Sequence, residues 1–322
     1  MRRLRTLSRW VMLVLAMGLT SCAGAARVDV PQRAYVPRND GTLLARYAPI
    51  FVVQTSADAY NRIGTPSARL VDGREEVYVD PDRPVIYAEH REFRTARGSY
   101  TNLIYRIHFE RVPFPALTTG TNAGIFVIIT LDQQKQPVLI TTVHTCGCYL
   151  VFIPTSHLPP DALPRGWNAG VQSRWGEKLP GMIQLPAQFD DALRPVVFLR
   201  DRTHRIMDIR VQNIAESDWR YDAIPTGIMP LDSLERLPLD GGVTSFYETE
   251  GPRKGFVRDS RKPLEMLLMG WLALDFRVGR DKRLAPRDEM NTTLYTSLKF
   301  WRRADSDLWP FANFLRYWGW SL

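Results

Sequence analysis

Two of the three cysteines in this 322-residue chain sit two positions apart, in His144-Thr145-Cys146-Gly147-Cys148. They follow the apolar run Pro137 to Val143, which reads as a strand. Side chains alternate along a strand. If the strand continues, His144, Cys146 and Cys148 share one face with Val138, Ile140 and Thr142. One imidazole and two sulfurs would then converge, and four chemistries fit. A disulfide would join α-carbons about 6.6–6.8 Å apart in extended geometry, the upper limit for a bridge, with Gly147 free to relax the backbone. It would close only three residues and contribute about 1.6 kcal/mol on the chain-entropy formula, against about 3 kcal/mol for a 15-residue loop. Such a bridge is a poor staple, and strain would make it reducible, as a redox-active pair requires. A metal site is the second fit. Two thiolates and an imidazole suit zinc or copper(I), with a fourth ligand from His90, His108 or His157. The third is a nucleophilic cysteine with His144 as its base. The fourth is a core strand with small buried residues and a hydrogen-bonded histidine.

Nothing else in the chain fixes a reaction. Gly-rich phosphate loops, H-E-x-x-H, G-x-S-x-G and the haem signature C-x-x-C-H are absent. His90 lies in the charged run Glu89-His90-Arg91-Glu92. His108 alternates with Arg106 and Glu110, the pattern of a solvated or ion-paired face. His157 precedes Pro159-Pro160, and His204 falls in a hairpin turn. The acid pairs Glu75-Glu76 and Asp190-Asp191 read as exposed surface rather than as glycosidase carboxylates.

The elements that must position the cysteines read as β-structure. Leu103, Tyr105, Ile107 and Phe109 share one face of a strand over Thr101 to Glu110. Gly124 to Leu131 is almost wholly apolar, the mark of a strand buried on both faces. Ile50 to Gln54, Pro84 to Glu89, Tyr149 to Pro154 and Val243 to Thr249 are further strands. Pro195 to Leu199 and Arg205 to Gln212 form a hairpin. Residues 154–195 and 225–240 are proline-rich connections.

The last sixth changes character. Leu264 to Phe276 has ten apolar positions in thirteen, without alternation, and reads as a buried helix. Its charged flanks also permit a helix lying in a membrane interface; it is too short to span one. Asp288 to Trp301 is a candidate second helix. Asp307 is a candidate N-cap for a third, with Leu308, Phe311, Leu315 and Trp318 on one face. Residues 295–322 hold nine aromatics. Packed against the sheet they are core; exposed, they would be a surface for an envelope protein partner or for lipid headgroups.

The N-terminus carries Arg2, Arg3, Arg5 and Arg9, then an apolar run from Trp10 to Leu19, the layout of a secretory signal peptide. Leu19-Thr20-Ser21-Cys22 resembles a bacterial lipobox. That resemblance covers residues 1–22 only. It implies that Cys22 is lipidated and, after the 21 preceding residues leave, begins a mature chain of 301. Ala23 in second position, in place of aspartate, implies the outer membrane of a Gram-negative bacterium, facing the periplasm. Two or more acyl chains hold firmly where one is marginal. Residues 23–45, with Pro31, Pro37 and Asn39-Asp40-Gly41, read as a tether.

Composition agrees with a globular body. Hydrophobic residues make up 45%, charged residues 24%, and the mean hydropathy of −0.22 excludes a polytopic membrane protein. The whole chain is +8. Without the four signal arginines, 38 basic residues face 34 acidic ones. The basic clusters Arg258 with Arg261-Lys262, and Arg277, Arg280 with Lys282-Arg283, read as solvated surface. No concentrated basic stripe indicates nucleic acid. The expectation is an α+β chain in four parts: a signal peptide (1–21), a lipidated Cys22 and tether (22–45), a β-rich body of antiparallel sheet or sandwich (46–255), and a helical aromatic segment at the C-terminus (256–322). Its expected role is a non-enzymatic binding or structural component of the envelope. The alternative is a metal-binding or thiol-redox lipoprotein using His144, Cys146 and Cys148, and a cysteine-dependent enzyme is third.

Overall fold

The computed structural model describes residues 32–213 and 222–322. The signal segment, the lipobox and Cys22 lie outside the described residues.

The described residues start with β1 (Gln32–Pro37), α1 (Leu43–Tyr47) and β2 (Ile50–Gln54). A side hairpin follows, β3 (Thr65–Val71) and β4 (Arg74–Asp80). Then comes a long meander of β5 (Val85–Thr95), β6 (Gly98–Val112), β7 (Gly120–Leu131), β8 (Pro137–His144) and β9 (Val151–Pro154). The two-stranded β10 (Val171–Arg174) and β11 (Glu177–Pro180) precede the hairpin β12 (Leu193–Leu199) and β13 (Ile206–Asn213). After β14 (Asp222–Pro230) and the small pair β15 (Leu237–Leu239) and β16 (Gly242–Thr244), the chain turns irregular around α2 (Pro263–Ala273) and α3 (Phe311–Tyr317). No helix among the described residues is long and apolar enough to cross a membrane.

The protein is strand-rich, as its alternating apolar runs require. Its main sheet is neither purely antiparallel nor a sandwich. Ten strands form one mixed sheet in the order β13-β12-β2-β1-β14-β5-β6-β7-β8-β9. The pairs β12–β2, β1–β14 and β14–β5 are parallel; the others are antiparallel. The sheet curls: Phe51 and Val53 near one end meet Tyr105, Val127 and Ile140 of the meander in one core.

Alternation along β6 and β7 sorts side chains between two cores. Leu103, Tyr105, Ile107 and Phe109, with Ile125, Val127 and Ile129, fill the inside of the curl. Ile104, Phe126 and Ile128 face the other way, against Leu294, Leu308, Phe311, Phe314 and Trp320 from the C-terminal segment. This second layer explains why the face read as solvated is dry. Arg106 and His108 are fully buried. Arg106 donates to the Tyr247 hydroxyl (2.8 Å) and the Lys282 carbonyl (3.2 Å), and lies over the Phe126 ring. His108 packs edge-on against Phe246 at 4.9 Å.

Four expectations are corrected. The tether of 22–45 does not extend through residues 32–45. β1 pairs with β2 and β14 inside the sheet, Ala34 and Tyr35 are buried, and Thr42 caps α1 through its hydroxyl. Six residues with Gln32, Arg33 and Pro37 among them carry little local strand signal; their hydrogen bonds come from β2 and from the distant β14. The expected helix over Asp288–Trp301 is irregular chain with two short 3-10 turns. Asp307 is not an N-cap: α3 begins at Phe311 after Pro310, and Asp307 instead accepts from the Trp309 amide. The C-terminal segment is thus less helical than expected. Its aromatics split: Phe311, Phe314 and Trp320 are core, while Phe300, Trp301 and Trp318 are exposed. Finally, α2 exists, but its apolar side chains face out rather than in.

Candidate functional site

β8 ends at His144, so the cysteines do not sit on a continuing strand face. A tight turn gathers them instead. The Gly147 amide donates to the His144 carbonyl (2.7 Å), and the His144 amide to the Cys148 carbonyl (2.9 Å). The turn shortens the Cys146–Cys148 α-carbon separation to 5.6 Å, and the two sulfurs form a disulfide. One ring nitrogen of His144 and both sulfurs lie within 4.8 Å of one another. Gly147 is demanded twice over. Its φ is +92°, and a β-carbon there would collide with the Tyr295 carbonyl oxygen.

A buried ionic clasp holds this turn from behind. The Thr145 amide donates to the Gly124 carbonyl, and the Lys282 amide to the Thr145 carbonyl, both at 2.9 Å. Asp281 accepts hydrogen bonds from the hydroxyls of Thr145 and Ser260, the latter at 2.7 Å. The Lys262 ammonium forms an ion pair with Asp281 at 3.0 Å, both side chains fully buried. Burial alone would raise the Asp281 carboxyl; Lys262 and the two hydroxyls hold it below the usual carboxylate range. Lys282 donates to the carbonyls of Cys146 (3.2 Å) and Arg280 (3.1 Å), and burial pulls its pKa down to about 8. Lys262 and Lys282 therefore are not solvated surface, as their clusters suggested. Nothing in their spacing distinguishes them from the exposed Arg261 and the partly exposed Arg283 beside them.

His144 is buried, with its ring edge-on to Tyr149 at 4.8 Å. Burial lowers its pKa to about 3, so it is neutral. The His204 carbonyl hydrogen-bonds the ring, and Nε2 has no partner among the described residues. The proton therefore sits on Nδ1 and the lone pair on Nε2.

The disulfide forms part of the wall of a cavity of about 420 Å³. Phe152, Met269, Leu298 and Trp318 supply apolar lining. Glu265 and Thr118 also line it, and Glu265 Oε2 and Thr118 Oγ1 are buried without a hydrogen-bond partner among the described residues. Burial raises the Glu265 carboxyl above its ordinary range, against the pull of Lys262. The site thus offers an apolar chamber, two unsatisfied polar groups and a dithiol held oxidised.

The three expected fourth ligands are elsewhere. His108 is locked between Phe246 and Tyr87. His157 Nε2 bonds the Pro186 carbonyl at 2.8 Å. His90 is exposed on β5. Among the described residues, the cluster able to hold a metal contains His144, Cys146 and Cys148 and no fourth member. Bridged, neither sulfur is the free thiolate that nucleophilic catalysis needs. The acid pairs are surface: Glu75 binds Arg258 and Thr244, Glu76 binds Arg69, and Asp191 pairs with Arg46. No family model, no curated protein and no solved structure matches the chain, so the chemistry of this site rests on its own geometry.

Proposed function

We propose that the protein is a binding protein of the bacterial envelope, lipid-anchored at Cys22 on the periplasmic side of the outer membrane, and that its ligand site is the cavity beside the Cys146–Cys148 bridge. One observation carries the binding reading. Two buried polar groups, Glu265 Oε2 and Thr118 Oγ1, lack partners at an apolar cavity whose volume lies within the range of small-molecule sites. A buried polar group left unsatisfied costs about 1–3 kcal/mol, and a ligand that bonds it recovers that. The ligand this favours is a small, largely apolar molecule with a polar end. The carboxyl of Glu265, neutral more readily than usual, can donate to it or accept from it. The lipobox pattern supports the anchor.

The test is titration of the full chain with N-phenyl-1-naphthylamine, an uncharged apolar fluorophore. Emission should rise on binding, and Met269→Trp, which fills the cavity, should abolish the rise. Equal binding by this variant would overturn the reading. Cys22→Ser should release the chain from membranes; retention would overturn the anchor.

A second reading has its own support in the His144, Cys146 and Cys148 cluster. Reduction by an external dithiol would open the bridge. Two thiolates and the free Nε2 would then form a three-ligand set suited to copper(I) or, with water, to zinc. Native mass spectrometry of the reduced chain with either ion should show one bound equivalent, lost in Cys146→Ser. No bound ion would end this reading.

A further inference from the structure

The outward face of α2 is built the wrong way round for a helix in water. Leu267, Leu268, Trp271 and Leu272 are 60–71% exposed, and Leu274 and Phe276 just beyond the helix are 59% and 63% exposed. Glu265, the one acid of the helix, is turned inward with Gly270 and Ala273. An ordinary surface helix does the opposite. Arg303 donates to the Ala273 carbonyl and so brings the Phe300–Trp301 turn to the C-terminal end of α2. Those two rings are 47% and 66% exposed. The result is one apolar and aromatic patch, and patches of this kind mark interaction surfaces.

The charges around it say what it meets. Arg261 before the helix, Arg277 after it, and Lys299 and Arg302 beside the aromatic turn rim the patch. From Met266 to Phe276 no acid is exposed: Asp275, half-buried, accepts from the Tyr295 hydroxyl at 2.7 Å. A second copy docked face to face would bring cation rims together, and the acid beside the patch, Asp305, is already paired with Arg302 at 3.1 Å, which leaves Arg261, Arg277 and Lys299 without an acid on the patch. A bilayer surface with anionic headgroups matches both features. The leucines enter the acyl boundary, the tryptophans sit at headgroup depth, and the cations meet phosphates. Eleven helical residues are too few to span a bilayer, so the helix lies in its plane.

We infer that α2, with Phe276, Phe300 and Trp301, is a lipid-surface insertion site selective for anionic headgroups. It stands independently of the lipid at Cys22 and of the cavity ligand. The inner face of the same helix walls the cavity through Glu265 and Met269. A seated α2 therefore holds the cavity at the membrane surface, where apolar molecules concentrate.

The test uses the full chain in vesicles of phosphatidylethanolamine and phosphatidylglycerol with brominated acyl chains, which quench only inserted tryptophans. The emission difference between wild type and Trp271→Phe isolates that ring. It should be quenched in the anionic vesicles, and the quenching should be lost in Leu268→Lys with Leu272→Lys, both exposed positions. The inserted fraction should favour anionic over phosphatidylcholine vesicles by roughly fivefold for each engaged cation. No quenching would overturn the proposal. Equal quenching in phosphatidylcholine would overturn the headgroup selectivity. Shielding of Trp271 from acrylamide without vesicles, growing with protein concentration, would assign the face to a second copy instead.

Discussion

Asp281→Asn is the sharpest test of how the cysteine turn is held. The carboxylate has three partners, the Thr145 and Ser260 hydroxyls and the Lys262 ammonium, all buried. The amide keeps the shape and some hydrogen bonding but leaves the ammonium uncompensated. Removing one partner of a buried ion pair costs about 3–5 kcal/mol, most of it the penalty for the stranded charge. Urea unfolding of the full chain at neutral pH, followed by circular dichroism, should show a loss of that size. The double variant Asp281→Leu with Lys262→Met strands no charge and should recover most of it. The pH dependence has a fixed sign. Asp281 has a folded pKa below its unfolded one, so its stabilisation is present above the ordinary carboxylate value of 3.8 and is lost as pH falls through the folded value. A loss under about 1 kcal/mol for Asp281→Asn would mean that water reaches Lys262, and the argument for a dry clasp would fail.

Other outcomes follow from the same packing. Burial holds the imidazoles of His144 and His204 at a pKa of about 3, and that of His108 well below the ordinary imidazole range. Below about pH 6.5 the unfolded chain takes up protons that the native chain refuses, so stability falls by roughly 1.4 kcal/mol per pH unit for each of them. Urea midpoints between about pH 7 and pH 5 should drop accordingly; a flat profile would show that these rings charge in place. Phe314→Ala, at a fully buried ring packed on Phe152, should cost about 3–5 kcal/mol in the same assay. A change near zero would mean that the C-terminal segment is not core. Gly147→Ala should lose more than the 1–2 kcal/mol of a left-handed residue, roughly, because the Tyr295 backbone must also move. An unchanged midpoint would refute the close approach.

What was legible in the sequence was what neighbours along the chain decide. The alternation of Leu103, Tyr105, Ile107 and Phe109 and the almost wholly apolar run Gly124 to Leu131 of β7 specify a buried meander by themselves. The convergence of His144 with both cysteines was visible in their spacing, although a turn rather than a strand face brings it about. What was not legible depends on chain far away. Arg106 and His108 look solvated until Phe246, Tyr247 and the backbone at Lys282 cover them. Gln32–Pro37 looks like linker until β14 arrives to pair with it. Hydropathy marked Leu264 to Phe276 as apolar, but composition carries no direction, and the helix turns Glu265, Gly270 and Ala273 inward and its leucines out.

The strand order has a consequence for how the chain reaches its shape. Arg33 on β1 bonds Asp222 on β14 across 189 residues, and β2 waits for β12 on its other side. The meander from β5 to β9 closes through short local turns. An emerging chain can zip that meander early, and β1 can pair with β2, but the outer edge of each stays open until β14 and β12 have been delivered. Distant pairings of this kind fold slowly and leave strand edges open in the meantime. The β1–β2 pair is thus the part most in need of a chaperone, and the late arrival of β12 and β14 on its two sides seals the sheet.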